Sequence, residues 1–161
     1  MIHLPQIFVD MDGVLADFDT GYEQHFGIRP SKSDDNVDWA LVRRTDGFYS
    51  NLPPMPDFEL LWAGLIPFSP IILTGVPSSV AEAAENKRAW VRKHIGPDQP
   101  MIACPSKDKS LHMRRPGDVL IDDWEKYRSL WIGRGGRWIT HISAEASLEQ
   151  LDVVLVEAVA P

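Results

Sequence analysis

Phe8-Val9-Asp10-Met11-Asp12-Gly13-Val14-Leu15-Ala16 is the stretch on which the reading of this chain turns. Ile7 to Val9 has the β-branched and aromatic character of a buried strand. Two aspartates one residue apart follow it, and then a glycine. A buried strand cannot carry carboxylates through its middle, but it can present them at its carboxyl end, where open α/β sheets bind ligands. Two carboxylates that close repel each other, so the pair calls for a divalent cation or a proton between them.

Outward from this segment the same arrangement recurs. Apolar runs at 7–10, 71–73, 101–103, 119–121 and 138–141 predict strands. Helical patterns alternate with several of them, which predicts an α/β fold: a doubly wound parallel sheet with helices on both faces. A helix is predicted over 79–95, opened by a capping box of Ser79 and Glu82 and stopped by Gly96-Pro97. A second is predicted over 124–132, and Ser147 with Gln150 predicts another capping box opening a C-terminal helix. The interval 15–69 breaks the rhythm. It is too long for one crossover helix, and Pro30, Pro53, Pro54, Pro56 and Pro67 interrupt it. It reads as a small helical cap insert over the first strand's carboxylate end, with short helices at 16–26, 37–44 and 57–65.

The totals narrow the function classes. A length of 161 residues, 44% hydrophobic and 24% charged, fits one globular domain spanning 1–161. A net charge of −7 argues against binding a nucleic-acid polymer through its backbone. A small phosphorylated ligand stays open, because a bound cation reverses the local field. One cysteine, Cys104, leaves no internal disulfide and no cysteine-based zinc site, and it is expected to be a small buried hydrophobe. Residues 1–6 lack the apolar core of a signal peptide and no apolar stretch reaches membrane-spanning length, so no membrane partner and a cytoplasmic location are expected.

Chemistry-bearing residues appear in order at or just beyond strand ends. They are Asp10 and Asp12, then Thr74-Gly75, then Lys107-Asp108-Lys109, then Asp122-Asp123. If the strands are parallel neighbours, these side chains converge on one crevice. A carboxylate nucleophile, a second carboxylate for proton transfer, a hydroxyl, an ammonium and further carboxylates suit phosphoryl transfer through an aspartyl-phosphate. Mg²⁺, which takes hard oxygen ligands, would quench the repulsion between phosphate and Asp10.

This ordered set resembles the haloacid dehalogenase (HAD) superfamily of Mg²⁺-dependent phosphohydrolases, whose HAD-like Rossmannoid sheet is the fold expected here. The similarity runs from Ile7 to about Ile142. Within the superfamily the chain looks most like the 5′(3′)-deoxyribonucleotidases. The words that carry this are Val9-Asp10-Met11-Asp12-Gly13-Val14-Leu15-Ala16-Asp17-Phe18, Lys87-Arg88-Ala89-Trp90-Val91, His94-Ile95-Gly96-Pro97, Asp108-Lys109-Ser110 and Leu120-Ile121-Asp122-Asp123. The resemblance implies that Asp10 is the nucleophile and Asp12 the general acid/base. Thr74, Gly75 and Lys109 would hold phosphate, and Lys109 is preferred to Lys107 because it lies in the matching Asp-Lys-Ser word. Asp123 would bind the metal, supported by Asp122, with Asp10 and Asp12 completing the site. Phe18 and Phe48 match positions that face the nucleotide.

The chain also departs from that pattern. Its insert is shorter than in the animal enzymes, and Leu73-Thr74-Gly75-Val76-Pro77 stands where they have threonine-serine-proline wording. The expected substrate is a deoxyribonucleoside monophosphate. The alternatives are another phosphometabolite such as a sugar phosphate, or a non-catalytic domain that binds a phosphoryl ligand. Trp90, Trp124, Trp131 and Trp138 are expected to pack, and Trp39 and Trp62 in the insert are weighed between packing and base stacking. Gly133-Arg134-Gly135-Gly136-Arg137 lacks the spacing of a phosphate loop and reads as a helix stop and turn.

Overall fold

A computed structural model describes residues 4–31 and 35–159. Residues 1–3 of the N-terminal stretch lie outside the described residues. The chain forms five strands: β1 (Ile7–Val9), β2 (Ile71–Gly75), β3 (Met101–Cys104), β4 (Val119–Asp122) and β5 (Arg137–Thr140). All pairings are parallel, in the order β3-β2-β1-β4-β5. From β1 the chain steps outward through β2 to β3, then returns to the other side of β1 for β4 and β5. The crevice between β1 and β4 is therefore a topological switch point, where open α/β sheets place their ligands.

Strand side chains alternate between two cores, as a period of two requires. Ile7, Val9, Ile72, Val119, Ile121 and Ile139 face one core, completed by Ala83, Trp90 and Val91 of α4 (Ala83–His94) and Ala144 and Leu151 of α6 (Ala144–Val159). Phe8, Ile71, Leu73 and Leu120 face the other, against Trp131 of α5 (Arg128–Gly133). Helices thus cover both faces, as the alternating pattern predicts. No helix among the described residues is long and apolar enough to cross a membrane.

The stretch between β1 and β2 carries α1 (Phe18–Phe26), α2 (Trp39–Arg44) and α3 (Phe58–Leu65). Sequence dictates their starts: Asp17 accepts from the Thr20 N–H at 3.0 Å, and Asp38 accepts from Ala40 at 2.9 Å. Gly27, at φ 74°, closes α1 in the left-handed conformation that favours glycine.

Three local expectations are corrected. Helix α4 starts at Ala83 rather than Ser79, because Pro77 to Glu82 fold into consecutive turns and no side chain caps the helix. The helix predicted over 124–132 is a short 3₁₀ turn, Glu125–Tyr127, followed by α5. Ser147 is no cap: it lies within α6, fully buried, with its hydroxyl 2.8 Å from His141 Nδ1. Helix α6 is capped instead by Ser143, which accepts from Ala146, and by Asp57, which accepts the Ala144 N–H at 2.6 Å. A cap supplied from so far away in sequence leaves no local signature.

Candidate active site

The carboxyl ends of β1, β2 and β4 bring the predicted residues together. Asp10 continues β1, its N–H donating to the Ile121 carbonyl of β4 at 2.9 Å. That bond holds its carboxylate beside Asp122, the last residue of β4. Asp10, Asp122 and Asp123 each offer an oxygen within 4.8 Å of the others. Hard oxygen donors at such spacing fit a divalent cation such as Mg²⁺. Gly13 follows at φ +78°, and a Cβ there would come within 2.3 Å of an Asp123 carboxylate oxygen. Glycine is therefore required twice over, for the turn and for the approach of Asp123.

Lys109 joins the carboxylates. Its ammonium lies 2.8 Å from Asp10 Oδ1 and 2.7 Å from Asp122 Oδ2, and the residue is 7% exposed. Burial alone would lower its pKa, but the two carboxylates outweigh that and hold it above the usual lysine value. Lys107 is exposed, so the choice between the two lysines follows the buried one. Asp122 is pushed up to about 7, first by burial and then by the charge of Asp10, with Lys109 and the Trp124 N–H opposing. A group so placed is relieved by added positive charge, which is a second reason the cluster suits a cation.

Asp12 takes a different position from the one expected. Its carboxylate is not in the three-carboxylate group; Oδ2 instead accepts from Lys87 Nζ at 2.7 Å. Its Oδ1 is inaccessible and has no protein partner. Burial raises its pKa above the normal carboxylate value, Lys87 lowers it, and Asp10 adds to the rise. A carboxyl that holds its proton more readily is suited to acid/base work. Thr74, at the end of β2, is fully buried, and its hydroxyl accepts from Lys87 at 2.9 Å. Gly75 beside it packs so closely on Ser106 that a Cβ would come within 2.0 Å of Ser106 Oγ.

The aromatic expectations divide. Phe18 is half-buried on the insert, with Trp39 beside it at a centroid distance of 6.1 Å and 38% exposed. Phe48 is only 1% exposed, ringed by Phe18, Tyr22, His25, Phe26 and Tyr49, so it packs the insert rather than presenting a face. Trp90 and Trp131 are buried, as expected, and Cys104 is buried too. Trp124 departs from the packing expectation at 41% exposed, since the turn after Asp123 carries it outward. The glycine-rich stretch after α5 is the turn into β5, at the opposite end of the sheet from the carboxylates.

Two buried charged residues were not assigned from sequence. Asp118 precedes β4 at that opposite end, and its carboxylate accepts from the N–H groups of Gln6, Arg114 and Arg115, so it is satisfied by backbone. Lys87 is the other, and it reaches the site. The signal for it was present: Lys87 stands in helical phase with Ala83, Trp90 and Val91, the buried face of α4.

No protein-family model matches the chain. A human protein named 5′(3′)-deoxyribonucleotidase, cytosolic type, is 28% identical over 151 residues, spanning 76% of this chain and 72% of that one. A putative 5′(3′)-deoxyribonucleotidase of Bordetella pertussis is 30% identical over 144 residues, spanning 73% of each. Among solved structures, a haloacid dehalogenase-like family hydrolase from Xanthomonas campestris superposes with a TM-score of 0.59 at 8% identity, over 98% of this chain and 99% of that one. A HAD family hydrolase from Deinococcus radiodurans, solved with bound phosphate and sodium, gives 0.51 at 11% identity, over 98% and 97%. The structural likeness establishes a fold like that of the HAD hydrolases, and the sequence relatives settle the family: the chain belongs to the 5′(3′)-deoxyribonucleotidase family and is a phosphohydrolase.

Proposed function

We propose that this protein is a Mg²⁺-dependent phosphomonoesterase that works through an aspartyl-phosphate and removes phosphate from deoxyribonucleoside monophosphates. The observation that carries the reading is the convergence of Asp10, Asp122 and Asp123 within 4.8 Å, with Lys109 bridging Asp10 and Asp122. Its substrate class rests on the names of its relatives and on the aromatic side chains of the insert. Segment 15–69 is then a cap over the crevice, and Phe18 with Trp39 is its base-stacking surface.

Asp10 attacks phosphorus, forming the Asp10 oxygen–phosphorus bond as the ester oxygen–phosphorus bond breaks. Asp12 gives its proton to the departing ester oxygen. It then takes a proton from the water that attacks the phospho-Asp10 phosphorus, releasing inorganic phosphate and free Asp10. Lys109 balances the charge on Asp10 and on the phosphoryl oxygens next to it. Asp10, Asp122 and Asp123 would hold a Mg²⁺ ion, whose positive charge would let a phosphate dianion approach Asp10.

Metal removal tests the site. Chelation with EDTA is expected to abolish hydrolysis and added Mg²⁺ to restore it. Asp123→Asn should raise the Mg²⁺ concentration for half-maximal rate by about tenfold to a hundredfold, the range for weakened metal-site interactions. A Mg²⁺ titration unchanged by Asp123→Asn would remove that residue from the site.

A steady-state panel of deoxyribonucleotides, ribonucleotides and sugar phosphates tests the substrate. Deoxyribonucleoside monophosphates should give the highest kcat/KM. Phe18→Ala should lower kcat/KM for the nucleotides by about five- to a hundredfold, the equivalent of about 1–3 kcal/mol of base stacking, and barely alter p-nitrophenyl phosphate. Equal losses on both would make Phe18 a packing residue and favour the sugar-phosphate alternative.

A further inference from the structure

Lys87 is the most buried cation among the described residues, at 1% exposure, and every ammonium proton has an acceptor: Asp12 Oδ2 at 2.7 Å, Thr74 Oγ1 at 2.9 Å and the Gly75 carbonyl at 2.5 Å. The ring of Tyr49, from the 3₁₀ turn Tyr49–Asn51 of the insert, lies 4.7 Å from the same nitrogen. One turn further along α4, Trp90 Nε1 donates to the Leu52 carbonyl of the insert at 2.8 Å. Helix α4 thus clasps the insert, and Lys87 stands where the insert, the end of β2 and the Asp12 loop meet. An ammonium bonded only to backbone would suffice to satisfy that position. This one instead takes one specific oxygen of Asp12 and leaves the other, Oδ1, without a protein partner.

We propose that Lys87 is the positioning residue for proton transfer: it pins the Asp12 carboxyl group through Oδ2, and through Tyr49 it couples that orientation to the seating of the insert. The inference rests on the reading of Asp12 as the general acid. Lys87 touches neither substrate nor metal in this scheme. Its effect is on where the acid stands, and misplacing a reacting group by about 1 Å is enough to cost roughly a hundredfold in rate.

Leaving-group dependence separates positioning from mere support. Expulsion of p-nitrophenolate needs little protonation, whereas expulsion of an alkoxide, as from a deoxyribonucleoside monophosphate or glycerol phosphate, needs the acid in place. For Lys87→Gln, kcat/KM on the alkyl phosphates is expected to fall about thirty- to a hundredfold, while p-nitrophenyl phosphate loses less than about threefold. Lys87→Arg keeps the charge and serves if Lys87→Gln does not fold. Its longer, planar head cannot reproduce the three contacts, so it should show the same selective loss in smaller measure. Equal losses on both substrate classes in the folded variants, judged by circular dichroism and thermal melting, would overturn the proposal and leave Lys87 a structural residue. Asp12→Asn, measured on the same substrates, separates this from the underlying reading. If Asp12→Asn shows the selective loss and the Lys87 variants do not, the positioning role fails alone. If Asp12→Asn shows none, the acid assignment fails and the positioning role with it.

Discussion

Asp10→Asn should abolish turnover, lowering kcat by about four orders of magnitude or more, while the protein stays folded. The amide is nearly isosteric with the carboxylate, so the β1 end and its hydrogen bond to Ile121 survive. It has no anionic oxygen with which to attack phosphorus, and no other group near the phosphoryl site can replace it, since Asp12 is tied to Lys87 and Asp122 to Lys109. The effect on stability should be small in metal-free protein because two changes oppose each other. Lys109 loses one of its two carboxylate partners, but Asp122, pushed up by burial and by Asp10, loses a like charge. Purified variant assayed with the best substrate from the panel, alongside a urea titration in EDTA, checks both halves. Substantial hydrolysis by Asp10→Asn would end the aspartyl-phosphate mechanism.

Lys109→Met should be damaging in a different way. The methionine chain replaces much of the lysine stem but leaves Asp10 and Asp122 buried and facing each other without their shared cation. Removing one partner of a buried ion pair costs about 3–5 kcal/mol, because the charge left behind is neither solvated nor paired. The metal-free variant is expected to lose stability of that order in urea unfolding. Saturating Mg²⁺ should return part of it, since a bound cation takes over the neutralisation of the same carboxylates. Activity should fall by two orders of magnitude or more even with Mg²⁺ present, because the phosphoryl oxygens also lose a positive neighbour. A Lys109→Met protein as stable as wild type in EDTA would mean that the three charges are not coupled as the geometry implies.

Much of this protein is legible from its chain alone. Apolar runs ending in carboxylate, hydroxyl or carboxylate identified β1, β2 and β4 and the polarity of the sheet, because a parallel strand buried on both faces admits polar groups only at its ends. The expected spans 16–26 and 37–44 came within two residues of α1 and α2, because caps such as Asp17, Asp38 and Gly27 act through local hydrogen bonds and a single backbone angle that depend on near neighbours in sequence. The order of Asp10, Asp12, Thr74, Lys109, Asp122 and Asp123 was enough to predict a phosphoryl-transfer crevice.

Tertiary structure decided the rest, wherever the partner is distant in sequence. Asp57 joins Ser143 in capping α6, where the chain alone pointed to Ser147, and Phe48 is enclosed by rings from α1 and by Tyr49. Asp12 pairs with a lysine 75 residues away rather than joining the cluster of Asp10, Asp122 and Asp123. A sequence pattern records which groups a chain can bring to a strand end. Which of them pair depends on the desolvation of charges in one particular packing, where a buried ammonium must find its acceptors wherever the fold has placed them.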